Sequence, residues 1–582
     1  MRLINASTLE LSEFFGGKIP QYAILTHTWG EEEVTYQDWM SWKAHENIRG
    51  GPITQKEGFQ KITGACKQAV HDGIEWLWVD TNCIDKRSSA ELTEAINSMY
   101  AWYRGSIKCY AYLVDVVEND AAALEFSKSK WFTRGWTLQE LLAPPQVVFY
   151  SQTWVEIGTK ASRKLAGIVS AITGIDVKYI TNTLSPDSTT VATKMSWLSG
   201  RQTTRIEDMA YCMLGLFDIN MPLLYGEGHK AFTRLQEEIV RSHYDHTIFC
   251  WTWDESVPAS WTSMLAPSAA VFKDSWRFQV APVGDPAPYS VTNIGLSITL
   301  PVLYTIQGLV AILDASDASK YRSPLSRACI YLRRSGLGRA VFQRSQFPPR
   351  PINLLVPQSP TCYDLFIKPS RVEHRGPKIP KDLSIPPFGV LLVVEPTAYL
   401  FFEENTAPAT ARIPLSLDTW TKNSFPVSCF DNDTDILRLA EQSDSTGLFY
   451  SALLVLGIHG KVPYEALYVF FLVDMSRQSP VWYCRVETEN NLAKKNAGSI
   501  LSVPEWKHLS RCAAAYKNDY LSRLSDYFKD NVRNDQHGFQ ENLEATPGKV
   551  HLKIGEPTEQ ADREIRPALL YITEANNGFR MF

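Results

Sequence analysis

At 582 residues the chain is long enough for two or three domains of ordinary size. Hydrophobic residues make up 45% and charged residues 21%, which excludes a broadly disordered chain. A net charge of −5 gives no bulk attraction to nucleic acid or an anionic membrane, so neither is expected as a partner.

The ten cysteines are scattered, form no CxxC pair, and include Cys109, Cys250 and Cys484 inside apolar runs. They read as reduced core thiols of an intracellular protein. The opening MRLINASTLELSEFF has no long apolar core of the signal-peptide type. Of the two most apolar segments, 388–402 is broken by Glu395 and Pro396, and 466–475 is too short to span a bilayer. A cytoplasmic location without a membrane span is the expectation. With 17 Trp, 25 Tyr and 26 Phe, the chain has the material for aromatic-lined grooves.

In chain order, YAILT (22–26) predicts a short buried strand, followed by HTWGEEE with acids at Glu31 to Glu33. Residues 57–70 carry Phe59, Ile62, Cys66, Ala69 and Val70 at helical spacing, and Asp72-Gly73 breaks the pattern. IEWLWV (74–79) predicts a second strand that ends at Asp80. Ser88 to Glu91 is a capping box opening a helix with Leu92, Ile96, Met99 and Tyr103 on one face. KCYAYLV (108–114) predicts a third strand ending at Asp115.

The next stretch, WFTRGWTLQELLAPPQVVFY (131–150), predicts a helix with Trp131, Leu138, Leu141 and Leu142 as its apolar stripe. Pro144 and Pro145 end it, since proline lacks the backbone donor and restricts the residue before it. A fourth strand follows at 146–150. Trp136 and Glu140 stand four apart and share a face. Strands and helices therefore alternate, which implies parallel strands with right-handed crossovers. Ligands bind such sheets outside the carboxyl ends of the strands, here Thr26 to Gly30, Asp80 to Cys83 and Asp115.

Residues 205–216 and 228–242 have helical spacing, joined by a turn-rich connector. From about 255, short β-type runs alternate with Pro- and Gly-rich breaks: 309–313, 328–332, 352–356, 365–367 and 390–394. Ten prolines fall between 347 and 387. Such spacing suggests a β-sandwich or other β-rich accessory domain. Residues 517–530 predict one late helix. The expected division is an α/β core over 1–155, a helical extension over 156–255, and a β-rich accessory or regulatory domain over 256–582. There is no P-loop, no GxGxxG after a strand, no GxSxG elbow and no HExxH. His243 and His246 lack a third ligand and read as surface or capping residues, so no metal is expected.

YAILTHTWG (22–30), LWVDTNCIDKRSSAELTEAINSMYAWY (77–103) and RGWTLQELLAP (134–144) resemble the three motifs of the fungal heterokaryon-incompatibility (HET) domain. RIEDMAYCMLGLFDINMPLLYGEG (205–228) resembles the segment that follows them in many such proteins. The resemblance covers roughly the first 250 residues. It implies a role in fungal non-self recognition that ends in programmed cell death, with the regulator either the C-terminal half or a protein partner. The HET layout is in turn similar to Toll/interleukin-1 receptor (TIR) domains, whose parallel sheet is of flavodoxin-like type. There YAILTHTWGEEE stands for the strand and acidic loop, and Trp136 to Glu140 for the WCxxxE-like pattern, with Thr137 in place of Cys.

Enzymatic TIR domains cleave the nicotinamide–ribose bond of NAD and assemble as homo-oligomers on activation. The resemblance thus implies Glu140 as catalytic residue, with NAD as substrate rather than cofactor. The physical case is that this cleavage passes through an oxocarbenium-like state, and a carboxylate under the ribose stabilises it. Trp29 or Trp136 can stack on a flat ring, Arg134 can face a phosphate, Asp80 can accept from the ribose, and Gly30 lies in the first strand-end loop. Each residue has a structural alternative. Glu140 can pair with Arg134 or cap a neighbouring helix, Arg134 can be a solvated surface residue, Trp29 and Trp136 can be core aromatics, and Asp80 can cap or turn its strand exit with Asn82 and Asp85. Glu31 to Glu33 can be a solvated loop, and Cys83 a buried thiol. The alternative function is a non-catalytic death-signalling module acting by self-assembly and partner binding.

Overall fold

The structure, a computed structural model, describes residues 1–44, 52–117, 122–258, 260–281 and 288–304, and beyond them the strands of the C-terminal half with short stretches between. The chain separates into two compact units. One comprises Met1–Trp251 with Leu265–Phe278, the other Thr252–Met264 with Gln279–Phe582.

The first unit is built on β1 (Arg2–Asn5), β2 (Leu11–Glu13), β3 (Tyr22–His27), β4 (Trp76–Trp78), β5 (Lys108–Tyr112), β6 (Val147–Tyr150) and β7 (Glu156–Thr159). Their order across the sheet is β2-β1-β4-β3-β5-β6-β7. The four strands β4, β3, β5 and β6 run parallel, and β1, β2 and β7 add antiparallel edges. Every residue of β3 and of β6 is buried, so both faces of these strands are covered. That explains why they read as continuous apolar runs rather than alternating ones. By chain order the parallel strands lie second, first, third, fourth. Crossovers therefore leave β3 in opposite directions, and the crevice for a ligand opens at its carboxyl end.

The helices are α1 (Tyr36–Ala44), α2 (Glu57–His71), α3 (Ser89–Gly105), α4 (Ala122–Lys128), α5 (Thr137–Leu142), α6 (Arg163–Thr173), α7 (Val177–Ile180), α8 (Val191–Leu198), α9 (Asp208–Tyr211) and α10 (Lys230–Ser242). The expected capping box is present, with the Ser88 side chain accepting from the Glu91 backbone N–H at the start of α3. Two expectations change. The helix predicted from Trp131 is split into a 3-10 turn, Lys130–Thr133, and the short α5. Between them Gly135 N–H donates to Gln202 O at 2.8 Å and Gln202 N–H to Thr133 O at 2.7 Å, so this backbone pairs sideways. The approach is close enough that a Cβ on Gly135 would lie 2.5 Å from Thr203 Cγ2. The helix predicted over 205–216 is α9 followed by a 3-10 turn, Leu214–Leu216.

In the second unit the described residues are dominated by strands. Seven of them, between Tyr289–Thr292 and Cys362–Ile367, form one mostly antiparallel sheet. The runs expected at 309–313, 328–332, 352–356, 365–367 and 390–394 fall on strands Gly308–Ile312, Ser326–Arg334, Ile352–Leu355, Cys362–Ile367 and Phe388–Val393. Gly447–Ile458 and Ala466–Asp474 pair as a long antiparallel ladder whose 466–474 strand supplies buried Phe470, Phe471 and Leu472. The helix expected over 517–530 lies outside the described residues. Among the described residues no helix is long and apolar enough to cross a membrane.

Candidate functional site

Where β3 and β4 end, a cleft of about 270 Å³ opens. The strand ends supply His27, Trp29 and Asp80, and the following loop supplies Lys86. The apolar stripe of α3 forms one wall through Leu92, Ile96, Met99 and Tyr103. Arg134, Trp136, Thr137 and Glu140 come from the split helix, and Arg205, Asp208 and Tyr225 close the far side. The prolines that end α5 and the Gly135 pairing that starts it leave a helix of six residues, with Trp136 and Glu140 on the same face.

Glu140 is 8% exposed. Its carboxyl accepts a hydrogen bond from the Thr26 hydroxyl, which itself accepts from Trp131 Nε1 at 2.8 Å. Indole N–H only donates, so the single Thr26 proton is directed at Glu140. Burial pushes the Glu140 carboxyl up to about 8, with Asp80 adding to the rise and Thr26, Arg134 and Arg201 opposing it. Among the described residues Glu140 makes no ion pair within 4 Å, so the Arg134 pairing considered from sequence is absent. Arg201 instead donates to Arg134 O and to Thr137 Oγ1, both at 2.8 Å, and fixes the backbone entering α5.

Asp80 has the opposite character. Burial alone would raise its carboxyl, but Lys86, His27 and Lys61 hold it well below the usual carboxylate range. It faces His27 Nε2 at 3.2 Å and accepts from Trp29 Nε1 at 3.0 Å. It opens the turn over 80–82, but among the described residues its side chain bonds neither Asn82 nor Asp85. Asp85 instead accepts from Arg87 N–H and from Gln37. Burial and Lys61 lower the His27 pKa, so the imidazole is neutral at pH 7 and an ionised Asp80 places its proton on Nε2. Of these two cleft carboxyls, Glu140 is thus neutral and Asp80 ionised, the separation of roles that acid–base sites use.

On the far wall Tyr225 OH donates to Asp208 at 3.0 Å, and the Arg205 guanidinium lies 4.4 Å above the Tyr225 ring. Burial raises the Asp208 carboxyl, with Tyr225 and Trp136 hydrogen bonds opposing. Three cations (Lys86, Arg134, Arg205) therefore ring a cleft that also holds carboxyls, an arrangement able to receive both an anionic and a cationic part of one ligand.

Of the residues predicted from sequence, Trp29, Asp80, Arg134, Trp136 and Glu140 line this cleft. Gly30 does not. Its N–H donates to Glu33 at 2.8 Å, and it faces a second groove of about 710 Å³ between α2 and the ends of β5 and β6. The acids 31–33 are not uniformly solvated: Glu31 and Glu32 are exposed, while Glu33 pairs with the buried Lys61. His246 is buried rather than superficial. Cys83 is buried with its thiol pushed up to about 12, chiefly by burial. In the sequence His27 stands out only as part of a strand end and Tyr103 only as part of a helix face, and Lys86, Arg205, Asp208 and Tyr225 carry no assigned role. Arg205, Asp208 and Tyr225 fall in the 205–228 segment whose motif resemblance was the available signal. Among the described residues no cluster of His, Cys, Asp and Glu has metal-binding geometry.

Residues 22–123 match the family model of the heterokaryon incompatibility protein (HET). His27, Trp29, Asp80, Lys86 and Tyr103 lie inside that match, and the α5 and 205–225 sides of the cleft lie beyond it. The chain is also similar to the vegetative incompatibility protein HET-E-1 of Podospora anserina, 47% identical over 233 residues. That alignment covers 38% of this chain and 16% of the relative, so the chain spans only a small part of that protein's length. No solved structure gave a significant match. The N-terminal unit of this chain carries a heterokaryon-incompatibility domain.

Proposed function

We propose that this chain is a fungal incompatibility effector whose HET domain is TIR-like and kills by cleaving NAD at the nicotinamide–ribose bond. The observation that carries the reading is the position of Glu140. It stands in a cleft at the carboxyl ends of parallel strands, four residues after Trp136 and beside Trp29 and Asp80. The second-first-third-fourth strand order supports the TIR-like layout.

In this reading Arg134 and Arg205 hold the pyrophosphate and Asp80 accepts from a ribose hydroxyl. The Glu140 carboxylate lies under the reacting ribose. The C1′–N1 bond breaks with its electron pair passing to the pyridinium nitrogen, which leaves neutral nicotinamide and an oxocarbenium ion. Water adds to C1′, and its proton passes to solvent. Glu140 is neutral in the free protein at pH 7, and an arriving pyridinium charge favours its ionised form. The ionised carboxylate then faces the charge that develops at C1′.

Self-assembly on activation, a protein regulator and action in the cytoplasm belong to the same proposal. The test is to express the full chain in a fungal host and follow NAD content together with viability. The hydrolase reading expects NAD to fall before cells die, and Glu140→Gln to abolish both effects. Death with NAD unchanged points instead to a non-catalytic signalling module.

A further inference from the structure

Trp29 is 47% exposed, yet its side chain is held. The indole N–H donates to Asp80 Oδ2, and the Lys86 ammonium sits 3.5 Å from the ring centroid. The same ammonium is 3.7 Å from Asp80 Oδ2. An aromatic face next to an ionised carboxylate attracts a cation twice, through the ring quadrupole and through the charge. In this structure the attracted cation is the chain's own. Lys86 follows Asp85 in the loop before α3, with its side chain one-third exposed, so it can swing away.

We propose that the face of Trp29 beside Asp80 is a binding subsite for a flat cationic heteroaromatic ring, and that Lys86 occupies it until such a ring displaces it. The exchange trades one cation for another, so Asp80 is never left without a positive neighbour. An ammonium is compact and strongly hydrated, and its release to water recovers hydration lost here. Burial lowers the Lys86 pKa, which is the sign of that loss. A planar pyridinium needs no hydrogen bonds of its own and gains stacking area over the indole. A neutral ring of the same shape gains the stacking but removes the lysine without replacing its charge.

The subsite therefore selects a pyridinium over its neutral counterpart, hence oxidised over reduced nicotinamide dinucleotide. It also favours product release, since cleavage turns the cationic ring into neutral nicotinamide and Lys86 returns. The inference rests on the proposed NAD reaction for the identity of the ring, and on the placement of Lys86 and Asp80 against Trp29 for the cation preference.

A probe that cannot be cleaved separates the two. The full chain is titrated with 1-methylnicotinamide, permanently cationic, and with nicotinamide, neutral, by ligand-observed NMR. Wild type is expected to prefer the cation. Lys86→Met should tighten both probes, because each must displace the ammonium, and 1-methylnicotinamide the more, by roughly three- to thirtyfold, the range expected for losing a competing cation–π contact. In a Trp29→Leu background the gain from Lys86→Met should fall below about twofold, because the shared ring is gone. Thermal melts establish that the variants fold. The inference is overturned if wild type binds nicotinamide as tightly as the cation, if Lys86→Met weakens the cation, or if it acts equally without Trp29. It is also overturned if no variant binds the cation at tens of millimolar. A chain that binds the cation as described but never cleaves NAD would remove the hydrolase reading alone.

Discussion

Glu140 and Asp80 share a cleft but prefer opposite protonation states, and the difference has measurable signs. The folded Glu140 carboxyl titrates at about 8, above its ordinary value of 4.5. Between those values the folded state holds more protons than the unfolded one, so this residue's contribution is fully present below 4.5 and is lost as pH rises through 8. The slope approaches about 1.4 kcal/mol per pH unit in mid-window. Urea unfolding of wild type and Glu140→Gln across pH 4.5 to 8 should show the slope in the first and not in the second. In the NAD reaction the carboxylate is the working form. The kcat/KM of wild type should therefore rise with pH and level off above about 8. Thr26 holds this carboxyl by its only proton, and Trp131 Nε1 depends on Thr26 in turn. Thr26→Val strands a buried indole N–H and should cost about 1–3 kcal/mol in unfolding free energy, with Thr26→Ser retaining most of it. It also removes a donor that lowers the Glu140 pKa, so the rise in kcat/KM should move to higher pH.

Two elements hold the site in place. The carboxyl end of α5 has orphan carbonyls, and the buried Lys160 donates to Leu141 O at 2.9 Å and Pro144 O at 2.6 Å. Burial brings the Lys160 pKa down to about 7 from 10.5. The unfolded state then binds more protons between 7 and 10.5, so stability rises with pH over that window. Lys160→Met should consequently cost more at pH 10 than at pH 7, which chemical unfolding at both values checks. At the start of α2, Gly58 packs on the 28–33 loop that carries Trp29, and a Cβ there would lie 2.7 Å from Glu32 O. Alanine favours a helix by about 1 kcal/mol over glycine. Overpacking costs about 1–3 kcal/mol, so Gly58→Ala should lower the melting temperature despite the gain in propensity. The same physics explains what the sequence reveals. Strands β3 and β6 are legible because full burial makes them continuous apolar runs. The edge strand Leu11–Glu13 has three residues and no buried one, and leaves no pattern to find. The break at Gly135 is set by Gln202, sixty-seven positions later, and no local period records it.

For the whole molecule, the cleft is assembled within one of the two compact units, from residues that span His27 to Tyr225. Its strand-end half, Trp29 and Asp80, follows from chain topology, and Glu140 from a helix placed against it. Arg205, Asp208 and Tyr225 reach it only through tertiary packing, so the 205–228 motif is legible in the sequence and its place in the cleft is not. Residues 1–278 hold every element of that sheet and cleft. Expressed alone they should unfold in one cooperative transition by calorimetry, and a broad non-cooperative melt would contradict their independence. The central claim is chemical, and the most direct measurement is release of free nicotinamide from NAD by the purified full chain, over rising protein concentration, beside folded Glu140→Gln. The account predicts nicotinamide and ADP-ribose appearing together with wild type and neither with the variant. Equal release by both proteins, or none by wild type at concentrations that force assembly, would contradict it.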